Sequence, residues 1–197
     1  MRLFVALYPP AEAVNDLVEQ VGRLRIGEFA ASGINVRLSR PENLHVTLAF
    51  LGEVEDTRLP VVGAALERAA RTWRRPTDAA KEDGPPRVRL AGGGRFGRGR
   101  FTVLWTGLTG DVDALNLLSR AVRRELRRSR IRYDEKPFRP HLTIARPGDR
   151  VDRDDIVFDL STLNGYLGPS WPVTEMVLVR THLGPRPTYD RLAVWSL

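Results

Sequence analysis

Residues 44–51, LHVTLAFL, and residues 141–146, HLTIAR, decide how this 197-residue chain is read. Each carries His-x-Thr inside a run of β-branched and aliphatic residues, the composition of a strand. Side chains alternate along a strand, so His45 and Thr47 share a face, as do His141 and Thr143, about 6.6 Å apart at roughly 3.3 Å rise per residue. The same alternation groups Ala49 with His45 and Thr47, and sends Leu44, Val46, Leu48 and Phe50 to the other side. Two such strands side by side would present two imidazoles and two hydroxyls to one cleft, a set suited to a small anion.

Working outward, strands and helices alternate. Arg2–Tyr8 is a β-rich run ended by Pro9 and Pro10, and 11–24 carries Val14, Leu17, Val18, Val21 and Leu24 at the spacing of an amphipathic helix. A short strand at 34–38 and a helix at 57–73 flank the first His-x-Thr, and 77–86, rich in Asp, Gly and Pro, reads as a connector. From Arg87 the order repeats, with strands at 87–91 and 101–107, a helix at 111–129 and the strand at 141–146. The glycines of 92–100 lack the Lys-Ser/Thr ending of a P-loop and read as a hairpin connection. A short helix within 152–167, ahead of Gly168 and Pro169, is followed by strands at 173–183 and 189–197 around the turn 184–187. The class is therefore α+β with mainly antiparallel sheet, and the echo between halves points to two lobes of similar make-up within one domain, 1–197.

Composition narrows the function. Hydrophobic residues at 42% and charged residues at 28% are those of a globular chain, and the absence of cysteine excludes disulfides, thiolate metal sites and a thiol nucleophile. The N-terminus has no signal-peptide pattern and no apolar run reaches about 18 residues, so a cytoplasmic protein with no membrane partner is expected. The net charge of +7 would draw a polyanion. All but two of the 31 basic residues are arginine, which a GC-rich genome also produces. Arginines 120, 123, 124, 127, 128 and 130 read mainly as the solvated face of a helix.

Histidine, with an ordinary pKa of about 6.5, lets one copy act as neutral base and another as charged acid near neutral pH. In phosphodiester cleavage one imidazole takes a proton from the attacking oxygen and the other gives one to the leaving oxygen, while hydroxyls donate to non-bridging oxygens. No metal is needed, and no ligand motif such as H-E-x-x-H is present. A lone histidine before threonine is an ordinary strand residue; the duplication is what points to a site. Arg146, five residues beyond His141, falls on the opposite face of an ideal strand and reaches a phosphate only if the strand end bends; otherwise it forms a surface salt bridge. Phe138 is either a platform for a terminal base or a core aromatic. His182 lacks the threonine and is left out of the site.

The stretches RLFVAL at 2–7, PENLHVTLAFLGEV at 41–54, GGGRFGRGRFTVLWTGL at 92–108, FRPHLTIAR at 138–146 and GPRPTYDRLAVWSL at 184–197 together resemble the RNA 2′,3′-cyclic phosphodiesterases, formerly called 2′-5′ RNA ligases, of the two-histidine (2H) phosphoesterase superfamily. The resemblance spans nearly the whole chain. It implies a bilobal fold, two pseudo-symmetric lobes of mainly antiparallel sheet with flanking helices around a central cleft. It also implies cofactor-free and metal-free opening of an RNA 2′,3′-cyclic phosphate to a 2′-phosphate, with an association to 2′-5′ joining of tRNA halves. His45, Thr47, His141 and Thr143 fall on the family's catalytic pairs and Arg146 on the arginine ending its second motif; His45 would be the general acid and His141 the general base. The expected partner is an RNA end, bound by a monomer. The rivals are a non-catalytic RNA-end-binding module, against which both complete motifs speak, and a 2H enzyme of small cyclic nucleotides, against which the charge speaks.

Overall fold

In the computed structural model, residues 1–34, 36–74, 84–148, 151–184 and 187–197 are described. The strands are β1 (Arg2–Leu7), β2 (Arg37–Leu38), β3 (Val46–Glu53), β4 (Arg87–Phe96), β5 (Val103–Gly110), β6 (His141–Arg146), β7 (Leu167–Pro172), β8 (Glu175–His182) and β9 (Thr188–Ser196). The helices are α1 (Ala11–Gly22), α2 (Arg25–Ala31), α3 (Leu59–Thr72), α4 (Val112–Arg128) and α5 (Arg153–Asn164). All strand pairs are antiparallel, in the order β7-β4-β5-β6-β3-β1-β8-β9, with β2 added alongside β6. The fold is α+β, as expected.

Two four-stranded lobes meet where β3 touches β6, through the single pair Val46 and Leu142. The lobes do not correspond to the two halves of the sequence. The lobe β3-β1-β8-β9 is backed by α3 and α4, and the lobe β7-β4-β5-β6 by α1, α2 and α5, so the helix after β1 and the helix after β5 each cross beneath the other lobe. The repeated unit is strand, helix, histidine strand, helix: β1-α1-β3-α3 and β5-α4-β6-α5.

Alternation sorts the faces. Leu3, Val5 and Leu7 of β1 enter the large core beneath the sheet with Leu17 of α1, Leu66 of α3 and Leu118 of α4, whereas Phe4 and Ala6 join Val177 and Val179 in a small apolar floor on the opposite face. Among the described residues no helix covers that second face, which forms the cleft.

Three local expectations change. Helix α2 follows α1 directly; its seven residues are too short for periodicity to announce. Its first amides, on Arg25 and Ile26, donate to the carboxylate of the fully buried Asp159 from α5 at 2.7 and 3.1 Å. Gly92–Phe96 is strand and not a hairpin connection: a Cβ on Gly93 would lie 2.6 Å from Leu163, and one on Gly94 2.1 Å from the Trp105 ring. These glycines serve close packing. Gly168, Pro169 and Pro172 lie in strand β7, which is at the sheet edge, where proline's missing N–H faces no partner. The expected connector at 77–86 falls mostly outside the described residues, as do the middle of the turn 184–187 and residue 35 of the strand read at 34–38.

Candidate active site

Val46 and Leu142 are the middle residues of the two His-x-Thr tripeptides and face each other across the antiparallel β3–β6 rung. The register therefore sets His45 across from Thr143 and Thr47 across from His141, all four on the cleft side, since Val46 and Leu142 point into the core at 1% and 0% exposure. A local pseudo-twofold axis passes through this rung, exchanging one motif for the other.

Both strands bulge just past the threonine. Along β3, Ala6 pairs with Thr47 but Val5 with Ala49, leaving Leu48 as the extra residue; along β6, Trp105 pairs with Thr143 but Leu104 with Ala145, leaving Ile144 extra. Leu48 and Ala49 are both buried, as are Ile144 and Ala145. Simple alternation therefore fails at Ala49, which goes to the core, and at Phe50, which returns to the cleft floor opposite Phe4. By the same bulge Arg146 comes to the face of His141 and Thr143, which is the bend its odd spacing requires. Its positive charge reaches His45. Arg146 and Phe50 thus hold related positions at opposite ends of the cleft.

Each histidine is oriented by the backbone two residues upstream. Nδ1 of His45 lies 2.7 Å from the Asn43 carbonyl oxygen, and Nδ1 of His141 lies 2.6 Å from that of Arg139. A carbonyl only accepts, so Nδ1 carries the proton in both rings and Nε2 is left for chemistry. The Asn43 turn is tied to the start of β9, its side-chain amide donating to the Pro187 carbonyl at 3.4 Å. No pattern in the sequence marks these carbonyls.

The two surroundings differ. His45 stacks on Phe4 at 4.7 Å between centroids, with Tyr189 edge-on at 5.4 Å and Tyr8 at 5.8 Å. Burial among these rings pushes its pKa down to about 4; the Asn43 carbonyl opposes this and the charges of His141 and Arg146 add to it. His141 meets Phe96 edge-on at 4.9 Å and Trp105 at 6.0 Å.

A groove of about 490 Å³ opens beside Thr47 and His141, walled by Phe50, Phe96 and Phe138 with Arg123 and Lys136 among its polar lining. Phe138 both lines this groove and packs on the core. Arg123, read from sequence as part of a solvated face, donates to the Lys136 carbonyl at 2.7 Å beside the groove. Its neighbours Arg124 and Arg128, with Arg68 of α3, surround the buried Glu125 and hold that carboxyl below its usual range despite burial. His182 binds Asp190 at 2.5 Å and takes no part in the groove. Among the described residues no three His, Asp or Glu side chains gather as metal ligands would, and no helix is long and apolar enough to cross a membrane.

A two-lobed antiparallel sheet with paired His-x-Thr strands across its cleft defines the 2H phosphoesterase class of fold. Residues 9–185 match the model of the 2′-5′ RNA ligase superfamily, and the chain belongs to that family. It is 35% identical to an RNA 2′,3′-cyclic phosphodiesterase of Thermus thermophilus, covering 100% of this chain and 90% of the relative, and 32% identical to one of Escherichia coli, covering 100% and 96%. A solved structure of a Thermus thermophilus protein superposes with a TM-score of 0.74 at 30% identity, covering 100% of this chain and 98% of that one. Escherichia coli LigT complexed with 3′-AMP shares the fold, with a TM-score of 0.69 at 24% identity over 100% and 96% of the two chains.

Proposed function

We propose that this chain hydrolyses the 2′,3′-cyclic phosphate at an RNA 3′ end to a 2′-phosphate without a metal, and that the same site supports reversible 2′-5′ joining. The observation that carries the reading is the cross-motif register, in which each histidine faces the other motif's threonine around one small space. The named relatives, RNA 2′,3′-cyclic phosphodiesterases at 35% and 32% identity, support the same chemistry.

In-line opening puts the entering water and the departing 3′-oxygen on opposite sides of phosphorus, so one imidazole serves each side. His141 takes the water proton through Nε2 as the P–O bond forms, and His45 protonates the 3′-oxygen as the other P–O bond breaks. Thr47 and Thr143 donate to non-bridging oxygens, and Arg146 adds a guanidinium to the same anion. His45 is neutral in the free protein, held near 4. Burial is the main cause of that low value, and a negative phosphodiester placed beside the ring favours the imidazolium against it, so substrate binding draws a proton onto His45. Phe138, with Phe50 and Phe96, forms an aromatic wall for the terminal nucleoside beside His141.

The substrate is RNA ending in a 2′,3′-cyclic phosphate, tRNA fragments being one such class. The enzyme is read as a cytoplasmic monomer, and its organisation as one domain is supported by a main core that runs through both lobes. Incubating the protein with a cyclic-phosphate-terminated oligonucleotide in excess chelator tests the proposal. A 2′-phosphate end is expected; binding without turnover would leave the end-binding module, and loss of turnover restored by a divalent ion would overturn the metal-free mechanism.

A further inference from the structure

Phe96 lines the groove and touches His141, and the chain continues from it directly into the tip of the β4–β5 hairpin, residues 97–102. The tip is a closed turn: the amide of Phe101 donates to the Arg98 carbonyl at 3.2 Å and that of Thr102 to the Gly99 carbonyl at 2.9 Å. Gly97 and Gly99 adopt φ of 70° and 55°, and a Cβ on Gly97 would lie 2.4 Å from the Phe101 carbonyl oxygen. Thr102 is 1% exposed and anchors the turn, whereas Phe101 is 70% exposed, the most exposed large apolar side chain among the described residues. The Arg100 guanidinium sits 4.8 Å over the Phe101 ring. From Arg87 to Gly110 there are five arginines and no Asp or Glu. An exposed aromatic face beside arginines that pair with no carboxylate among the described residues is the chemistry that holds single-stranded nucleic acid, the bases stacking and the phosphates pairing.

A cyclic phosphate occupies the 3′ end of its strand, so the rest of the RNA leaves the site only on the 5′ side. Resting on the activity proposed above, we propose that the β4–β5 tip docks this 5′ strand, Phe101 stacking on a base upstream of the terminal nucleotide and Arg98 and Arg100 meeting its phosphates. The tip then acts on oligonucleotide ends and is silent toward mononucleotides. Phe101 is not among the residues that line the groove holding the terminal nucleoside, so the docked base is one upstream of it.

The test compares Phe101→Ala and the double variant Arg98→Ala/Arg100→Ala with the unaltered protein on two substrates, a cyclic-phosphate-terminated oligonucleotide and a 2′,3′-cyclic mononucleotide. For the oligonucleotide, kcat/KM is expected to fall about 10-fold in each variant, and the double variant's dependence of log KM on log salt to flatten by about 1.4, two phosphate contacts on a single strand. For the mononucleotide, kcat/KM stays within about twofold. Equal losses on both substrates, or no loss on either, would overturn the docking proposal while leaving the activity in place. Failure of the unaltered protein on both substrates would instead overturn the activity. Docking is then judged by fluorescence anisotropy with a 3′-phosphorylated oligonucleotide: weaker binding by both variants supports it, equal binding overturns it.

Discussion

Val46 and Leu142 form the single rung that joins the two lobes, and each is the central residue of a His-x-Thr tripeptide. Because both side chains are in the core, the four flanking side chains are fixed on the cleft side by the same packing that holds the lobes together. Fold stability and site geometry therefore share these two residues.

In the proposed mechanism the histidines carry the proton transfers and the threonines only hold the anion. His45→Ala and His141→Ala should each lower kcat about 10²–10⁴-fold, the usual contribution of one proton-transfer group. Thr47→Ala and Thr143→Ala should lower kcat/KM by about 10–10²-fold, each removing one donor. Steady-state kinetics on a 2′,3′-cyclic mononucleotide checks both, and a threonine variant as impaired as a histidine variant would point to a nucleophilic threonine.

In the proposed mechanism Arg146 acts on the substrate anion and on His45 together. Its charge helps to hold the His45 pKa down, so Arg146→Ala should raise KM about 10-fold while moving the His45 titration upward. Histidine ring signals followed by NMR against pH give the second readout. An unmoved His45 midpoint would mean that the guanidinium does not face the cleft.

Keeping His45 neutral destabilises the fold in acid. With the folded value near 4 against an ordinary 6.5, the unfolded chain binds more protons between those limits. Stability is full above about pH 6.5 and falls as the pH drops toward 4, by about 2–3 kcal/mol between pH 7 and 4.5 from this group. His45→Gln removes that contribution, so its urea midpoint should fall less than the unaltered protein's between those two pH values. Parallel declines would contradict the burial of His45.

Asp159 is structural. Its carboxylate accepts two amides at the start of α2, and burial raises its pKa. Asp159→Ala should destabilise by about 2 kcal/mol in urea unfolding and Asp159→Asn by less, since an amide oxygen still accepts. Turnover by the folded fraction should be unchanged.

Much of this was legible in the residues, and the failures share a cause. Period-2 and helical patterns mark the His-x-Thr starts of the histidine strands, and α1, α3 and α4, because there the apolar residues fall on one side. Bulges leave no such mark: nothing in L-A-F or I-A-R says that Leu48 or Ile144 is the extra residue, so plain alternation puts Ala49 and Phe50 on the wrong faces. The glycines at 93 and 94 looked like a loop because the Leu163 side chain and Trp105 ring that require them come from elsewhere in the chain. The carbonyls of Asn43 and Arg139 that orient the imidazoles belong to the backbone, which no residue pattern records.

The central claim is that the two histidines serve opposite sides of one phosphorus, His45 on the departing 3′-oxygen. A nucleoside 2′,3′-cyclic phosphorothiolate with sulfur at the bridging 3′ position tests it most directly, because a thiolate departs without a proton. Turnover of this substrate by His45→Ala should return to within about 10-fold of the unaltered protein, while His141→Ala stays impaired. Rescue of His141→Ala in place of His45→Ala would reverse the two roles, and rescue of neither would contradict acid catalysis at the 3′-oxygen.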